Sequence, residues 1–204
     1  MRQSVFLAFP EFTTRFEGRV NHMYLDVKGL VTIGLGCLID PEDLARTLPF
    51  VGKSTGKRVD PAVISCEWRN VKSDVSLARL GHTAAAHVTT LRIEDSAVDE
   101  LARQRLKSTE DYLKKTLRDF EDWPADAQLA TLSMAWAMGA GFTKSFPSWT
   151  KAALKHDWAT CAKQCLMRTA GNPGLVPRNK ANVALFLAAS TTDTPDEITA
   201  GAIS

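Results

Sequence analysis

The chain has 204 residues, 45% of them hydrophobic and 24% charged, a balance that excludes disorder, collagen-like repeats and a coiled-coil rod. A chain of this length buries roughly 70% of its unfolded surface, so it needs neither disulfides nor metal to fold. Its 25 basic and 23 acidic side chains leave a formal charge of +2, too small an excess for the clustered basic face of a nucleic-acid binder.

The elements read as helix, hairpin, then helices to the end. A first helix is predicted from about Val5 to Phe16, stopping at Gly18. Its apolar start, Val5 to Phe9, meets Pro10 and Glu11 instead of a small-residue cleavage site, so it reads as folded helix and not as an export signal. No apolar run approaches the roughly eighteen residues of a membrane helix, and no membrane insertion is expected. Tyr24-Leu25, a turn through Asp26-Val27-Lys28-Gly29, and Leu30-Val31-Thr32-Ile33 form a hairpin pattern, with Gly34 and Gly36 breaking the second strand.

The period then becomes helical. Asp40-Pro41 offers an N-cap with proline at the first helical position. After a polar loop at Gly52 to Lys57, Asp60-Pro61 starts a helix that carries Ile64, Trp68, Val71, Val75 and Ala78 on one face and ends at Gly81. A long helix is predicted from about Ser96 to Leu117. The helix after Trp123-Pro124 is apolar around nearly its whole circumference, which places it at the centre of a bundle. Shorter helices follow near Ser148 to Leu154 and Trp158 to Met167, then a last one near Arg178 to Ala189, with Thr194 to Glu197 capping one more short turn of a polar tail. Cys161 and Cys165, one turn apart beside Trp158, read as small buried thiols of a core stripe, and His22, His82, His87 and His156 lack metal-ligand spacing.

The chemistry concentrates near the N-terminus. Glu17 closes the first helix, Asp26 follows nine residues on at the hairpin turn, and Thr32 lies six further along the returning strand. Two carboxylates on separate rigid elements can flank one glycosidic bond, one as acid and one managing the nucleophile. The negative end of a helix dipole suits a neutral acid, which assigns that role to Glu17 and the carboxylate role to Asp26. By spacing alone the two also read as solvated surface acids, the fate of most carboxylates. A phosphate-binding reading of Gly34-x-Gly36 is set aside, because the third glycine and the following lysine-bearing helix are missing.

This stretch resembles phage-type lysozymes (glycoside hydrolase family 24), the endolysin muramidases of tailed phages. The likeness rests on Glu17-Gly18, Tyr24-x-Asp26 and Gly29-x-x-Thr32-Ile33-Gly34-x-Gly36, in a Glu-x8-Asp-x5-Thr spacing. It recurs in Trp136-Ala137-Met138-Gly139 with Gly141-Phe142-Thr143-Lys144-Ser145, and in Gly174-Leu175-x-x-Arg178. Cys37 departs from it, standing where many members carry histidine, and about 42–87 matches nothing in the family.

The resemblance implies an α+β, mainly α, lysozyme-like fold in one domain. A hairpin lobe with an insertion would span about 18–95, a helical lobe 1–17 and 96–190, and a polar tail 191–204, with the active-site cleft between the lobes. It implies an inverting muramidase that cuts the β-1,4 bond between N-acetylmuramic acid and N-acetylglucosamine. Glu17 would be the general acid, with Asp26 and Thr32 holding the attacking water. Tyr24, Leu38, Trp136, Ser145 and Arg178 match substrate-side positions, Gln164 less directly, and Arg178 would face Glu17 and work against the helix-end effect. Trp136 reads equally as plain core.

No cofactor or metal is implied. The implied partner is the glycan strand of peptidoglycan, met by a monomer made in the cytoplasm without a signal peptide. It would act in the periplasm or a target-cell wall after holin release as an endolysin. Delivery as an interbacterial toxin, with its immunity protein, is the other route. A silent wall-binding module, a helical interaction protein and a lytic transglycosylase are the rival readings.

Overall fold

A computed structural model gives the fold of residues 1–199. In chain order the elements are α1 (Gln3–Glu17), β1 (Val20–Leu25), β2 (Val31–Gly34), β3 (Cys37–Leu38), α2 (Glu42–Thr47), β4 (Val51–Gly52), α3 (Pro61–Ser73) and α4 (Leu77–Val88). They continue as β5 (Leu91–Arg92), α5 (Asp95–Thr116), α6 (Ala125–Met138), α7 (Pro147–Ala153), α8 (Trp158–Gln164) and α9 (Leu175–Ala189), with short 3-10 turns at Phe120–Asp122 and Ala140–Lys144. With 60% helix and 9% strand, the chain has the expected α+β, mainly α composition. It divides into two compact units: a helical unit of Met1–Phe16 with Arg105–Ser204, and a hairpin unit of Glu17–Gln104. Among the described residues no helix is long and apolar enough to cross a membrane.

In the hairpin unit, β1, β2 and β3 form an antiparallel sheet in that order. All four residues of β2 are buried, as a central strand covered on both faces requires. The expected hairpin is present, but Gly34 and Gly36 do not simply end it. Both take left-handed backbone (φ 68° and 73°) and turn the chain back into β3, whose Cys37 pairs with Ile33. Gly34 has a second constraint, since a Cβ there would sit 3.3 Å from the Val98 Cγ1 methyl.

Several helix boundaries of this unit differ from expectation. The apolar period runs on past Ser73, yet α3 stops there and Val75 is 76% exposed. The cause is local: the Asp74 carboxylate accepts the Ser76 hydroxyl (2.5 Å) and amide (3.2 Å), a side-chain turn that competes with the helix. Gly81, expected as the end of that helix, lies inside α4 as a kink with φ 78° and ψ −178°. Pro41, expected at the first helical position, is the cap residue of α2, which begins at Glu42. Asp40 caps nothing there; its Oδ1 takes the Val31 amide at 3.3 Å and the Lys72 ammonium at 2.9 Å.

The segment without a counterpart in the resemblance is a folded part of this unit. β4 pairs with β5, and α3 and α4 pack on β1. Two buried or half-buried charges close the joins. The Glu67 carboxylate accepts the Thr90 amide and hydroxyl (2.6 and 2.7 Å) and the Leu91 amide (3.1 Å). Lys53 Nζ donates to the Ala86 and Thr89 carbonyls, each at 2.8 Å, at the C-terminus of α4, where a cation meets the negative end of the dipole. Burial lowers the Lys53 ammonium from its ordinary value, with Glu67 opposing that shift.

In the helical unit, α6 is buried from Ala125 through Trp136, as its all-round apolar surface predicts, and α9 packs on both α6 and α8. α9 begins three residues before the expected Arg178, since Pro177 sits in its first turn, where no amide is needed. α8 ends at Gln164, short of the expected Met167. Cys161 and Cys165 are fully buried, and that burial pushes their thiols up to about 12 and about 11. They are unreactive core groups.

The tail up to Thr199 packs over the N-terminus of α6; 200–204 lie outside the described residues. Its expected cap is a single turn, closed by the Glu197 amide on the Thr194 carbonyl at 3.1 Å. The Ala125 amide donates to the Pro195 carbonyl at 2.7 Å, and the Thr199 amide donates to the buried Asp126 carboxylate at 3.2 Å. Burial raises the Asp126 carboxyl above its ordinary value of 3.8, and the Thr199 bonds only partly oppose it. The folded state therefore binds this proton more tightly than the unfolded chain. Asp126 contributes stability at pH below 3.8, and that contribution fades as pH rises through the raised value. Asp126→Asn keeps an acceptor for Thr199 without the buried charge. The mutant-minus-wild-type difference in Tm should grow in the mutant's favour as pH rises through that window, then level off; a difference independent of pH would contradict this.

Candidate active site

Glu17 is the last residue of α1 and is half-buried, with Gly18 carrying the chain out of the helix at φ 70°. Beyond it, Tyr24 pairs with Thr32 and Thr32 with Leu38, so these three form one row across the sheet and share a face. Tyr24 is half-buried, its ring edge-on to the His82 imidazole with centroids 6.1 Å apart. Leu38, on the edge strand, is 45% exposed. Below this row, His22 Nε2 meets the His82 carbonyl at 2.8 Å, and burial lowers the imidazole from its ordinary value.

Asp26 sits where β1 enters the turn. Its amide donates to the Leu30 carbonyl (3.0 Å), its carbonyl accepts the Gly29 amide (2.9 Å), and Gly29 takes φ 74°, which only glycine adopts without strain. The Asp26 side chain is held by the same turn. Oδ1 accepts the Lys28 amide at 2.8 Å and the Leu30 amide at 2.9 Å. One carboxylate oxygen is thus fixed by backbone, and the other accepts no hydrogen bond among the described residues. Thr32 is buried, and its hydroxyl donates to the Leu30 carbonyl at 3.0 Å, so its oxygen faces any further partner as an acceptor. Both side chains take their geometry from Leu30, through its amide and its carbonyl.

Trp136, Ser145 and Arg178 belong to the helical unit and occupy three different settings. Trp136, on α6, is 4% exposed, tilted against Phe9 (centroids 5.0 Å apart) with the Arg105 guanidinium 4.0 Å above its ring. Its placement within the unit is a core one, reinforced by a cation–π contact. Ser145 is exposed, its amide closing the 3-10 turn onto Phe142 at 2.8 Å. Thr143 and Lys144 before it line a groove of about 590 Å³ together with Pro147, Lys151 and Leu154. Arg178 is 2% exposed; Nη1 donates to the Ser133 carbonyl at 3.1 Å, and its guanidinium lies 4.8 Å from the Phe16 ring centre. Gln164 is exposed at the end of α8.

Sequence reasoning missed the residues that brace the hairpin: Trp68 and Lys72 on α3, and Asp40 after β3. Their only signal was the four-residue spacing of Trp68 and Lys72, which puts both on one helix face. Among the described residues, no group of three or more His, Cys, Asp or Glu side chains could hold a metal ion.

Compared with known proteins, the chain matches no family model, and no curated protein matches it.

Proposed function

We propose that the protein is an inverting muramidase with a lysozyme-like fold, hydrolysing the β-1,4 bond between N-acetylmuramic acid and N-acetylglucosamine in peptidoglycan. The observation that carries this reading is the Asp26 carboxylate, fixed through Oδ1 by the Lys28 and Leu30 amides, together with a Thr32 hydroxyl whose proton is committed to the carbonyl of the same Leu30. A water between Asp26 and Thr32 would give one proton to the carboxylate and the other to the hydroxyl oxygen, turning its lone pair outward. Glu17, ending the helix that leads into this hairpin, would protonate the departing glycosidic oxygen. Asp26 takes the water's proton as the new bond forms at the anomeric carbon, and configuration inverts.

Inversion calls for carboxyls roughly 6.5–9.5 Å apart, leaving room for that water. Tyr24 and Leu38, in the same cross-strand row as Thr32, would contact the sugar. The biological role is lysis of a bacterial wall, as a phage endolysin or an interbacterial toxin module. The test is product analysis of purified sacculi: muropeptides ending in reducing N-acetylmuramic acid support the reading. Binding without release would make the chain a wall-binding module, and 1,6-anhydro ends would make it a lytic transglycosylase.

A further inference from the structure

The turn that carries Asp26 is not self-contained. The Gly29 carbonyl, at its far end, accepts the Lys72 ammonium at 2.9 Å. The same ammonium bonds Asp40 Oδ1 at 2.9 Å, and that oxygen also takes the Val31 amide at 3.3 Å. One cation on α3 therefore grips both the end of the turn and the first residue of β2. Four residues earlier on the helix, Trp68 Nε1 donates to the Ile39 carbonyl at 2.9 Å, and its ring centre lies 5.9 Å from the Lys72 nitrogen. Trp68 thus fixes the helix against the strand exit, while Lys72 reaches past it to the turn.

The Lys72–Asp40 pair is partly solvated, with side chains 35% and 21% exposed. Pairs so placed contribute little to stability. What Lys72 supplies is position: Gly29 and Val31 flank Leu30, the residue whose amide orients Asp26 and whose carbonyl orients Thr32.

We propose that Lys72 is a positioning residue for Asp26 and Thr32, acting from the segment that has no counterpart in the lysozyme resemblance. It touches neither the sugar nor the water. Its ammonium holds the Gly29 carbonyl and, through Asp40, the Val31 amide, and so fixes the Leu30 peptide groups. This rests on the muramidase reading.

Lys72→Met removes the charge and the three donors but keeps the stem, while Lys72→Arg keeps donors and charge. On purified sacculi Lys72→Met should lower kcat at least about tenfold with KM within about twofold, since small misplacements of a reacting group cost rate. Lys72→Arg should recover most of that loss. Without substrate, amide exchange at Lys28 and Leu30 should be at least about tenfold faster in Lys72→Met, because their acceptor is no longer held. A fall in Tm with kcat and exchange unchanged would make Lys72 a stability residue and overturn the inference. So would lost kcat with unchanged exchange, or a change confined to KM. An active wild type with an unaffected Lys72→Met removes the role of Lys72 alone, whereas an inactive wild type removes the muramidase reading and this inference with it.

Discussion

Glu17→Gln should fold normally and lose wall hydrolysis by about 10²–10⁴-fold, the usual contribution of a general acid. Glutamine has the shape of glutamic acid and keeps hydrogen-bonding capacity, but it has no proton to give the leaving oxygen. Glu17 ends α1 and is half-buried, so the substitution opens no cavity. Glutamine also has nearly the volume of glutamate, so Tm should stay close to that of wild type. Turbidity loss of sacculi, with thermal denaturation of the same preparations, reads both quantities. Activity within tenfold of wild type would show that Glu17 is not the acid.

Trp149→Ala should cost about 3–5 kcal/mol of stability, the range for deleting a large aromatic from a packed interior. Trp149, on α7, is fully buried in the helical unit, with Phe142 at 5.0 Å and Phe186 at 5.9 Å between ring centres. Those two rings come from a 3-10 turn and from α9, so the deletion leaves a hole where three segments meet. Trp149→Phe should cost much less. It keeps a ring in place, and the indole N–H it removes has no hydrogen-bond partner among the described residues. Urea denaturation of both variants measures the difference. A loss below about 1 kcal/mol for the alanine variant would mean that the surrounding segments collapse into the hole.

The parts of the fold that were legible in the sequence are those whose signal is local and repeated. α6 declares itself because apolar residues surround it from Leu129 to Met138, and α5 because its apolar stripe persists over 22 residues. The hairpin is readable because its turn chemistry, from Asp26 to Gly29, is packed into four residues. β3, β4 and β5 are two residues each, too short for alternation to register, and β4 finds its partner some forty positions away. The break after Ser73 was missed because the apolar spacing continues through it, and a side-chain turn at Asp74 wins over that period.

The candidate site divides the same way. Glu17, Asp26 and Thr32 stand out through the resemblance, since by spacing alone the two carboxylates read equally as surface acids, and the motif's glycines take the left-handed angles that the turns demand. Asp40 looked like a helix cap, yet it serves the hairpin, and Lys72 showed only as a residue on the same helix face as Trp68. Both act through partners that only the fold brings near: 32 residues separate them from each other, and 43 separate Lys72 from Gly29.

The measurement that bears most directly on the paired roles of Glu17 and Asp26 is the anomeric configuration of the first product. Sacculi would be digested in an NMR tube and the new reducing-end N-acetylmuramic acid followed before mutarotation equilibrates it. Attack by a water held at Asp26, on the face opposite the bond that Glu17 protonates, delivers the α-anomer first. A β-anomer appearing first would show that the two carboxylates do not work as described.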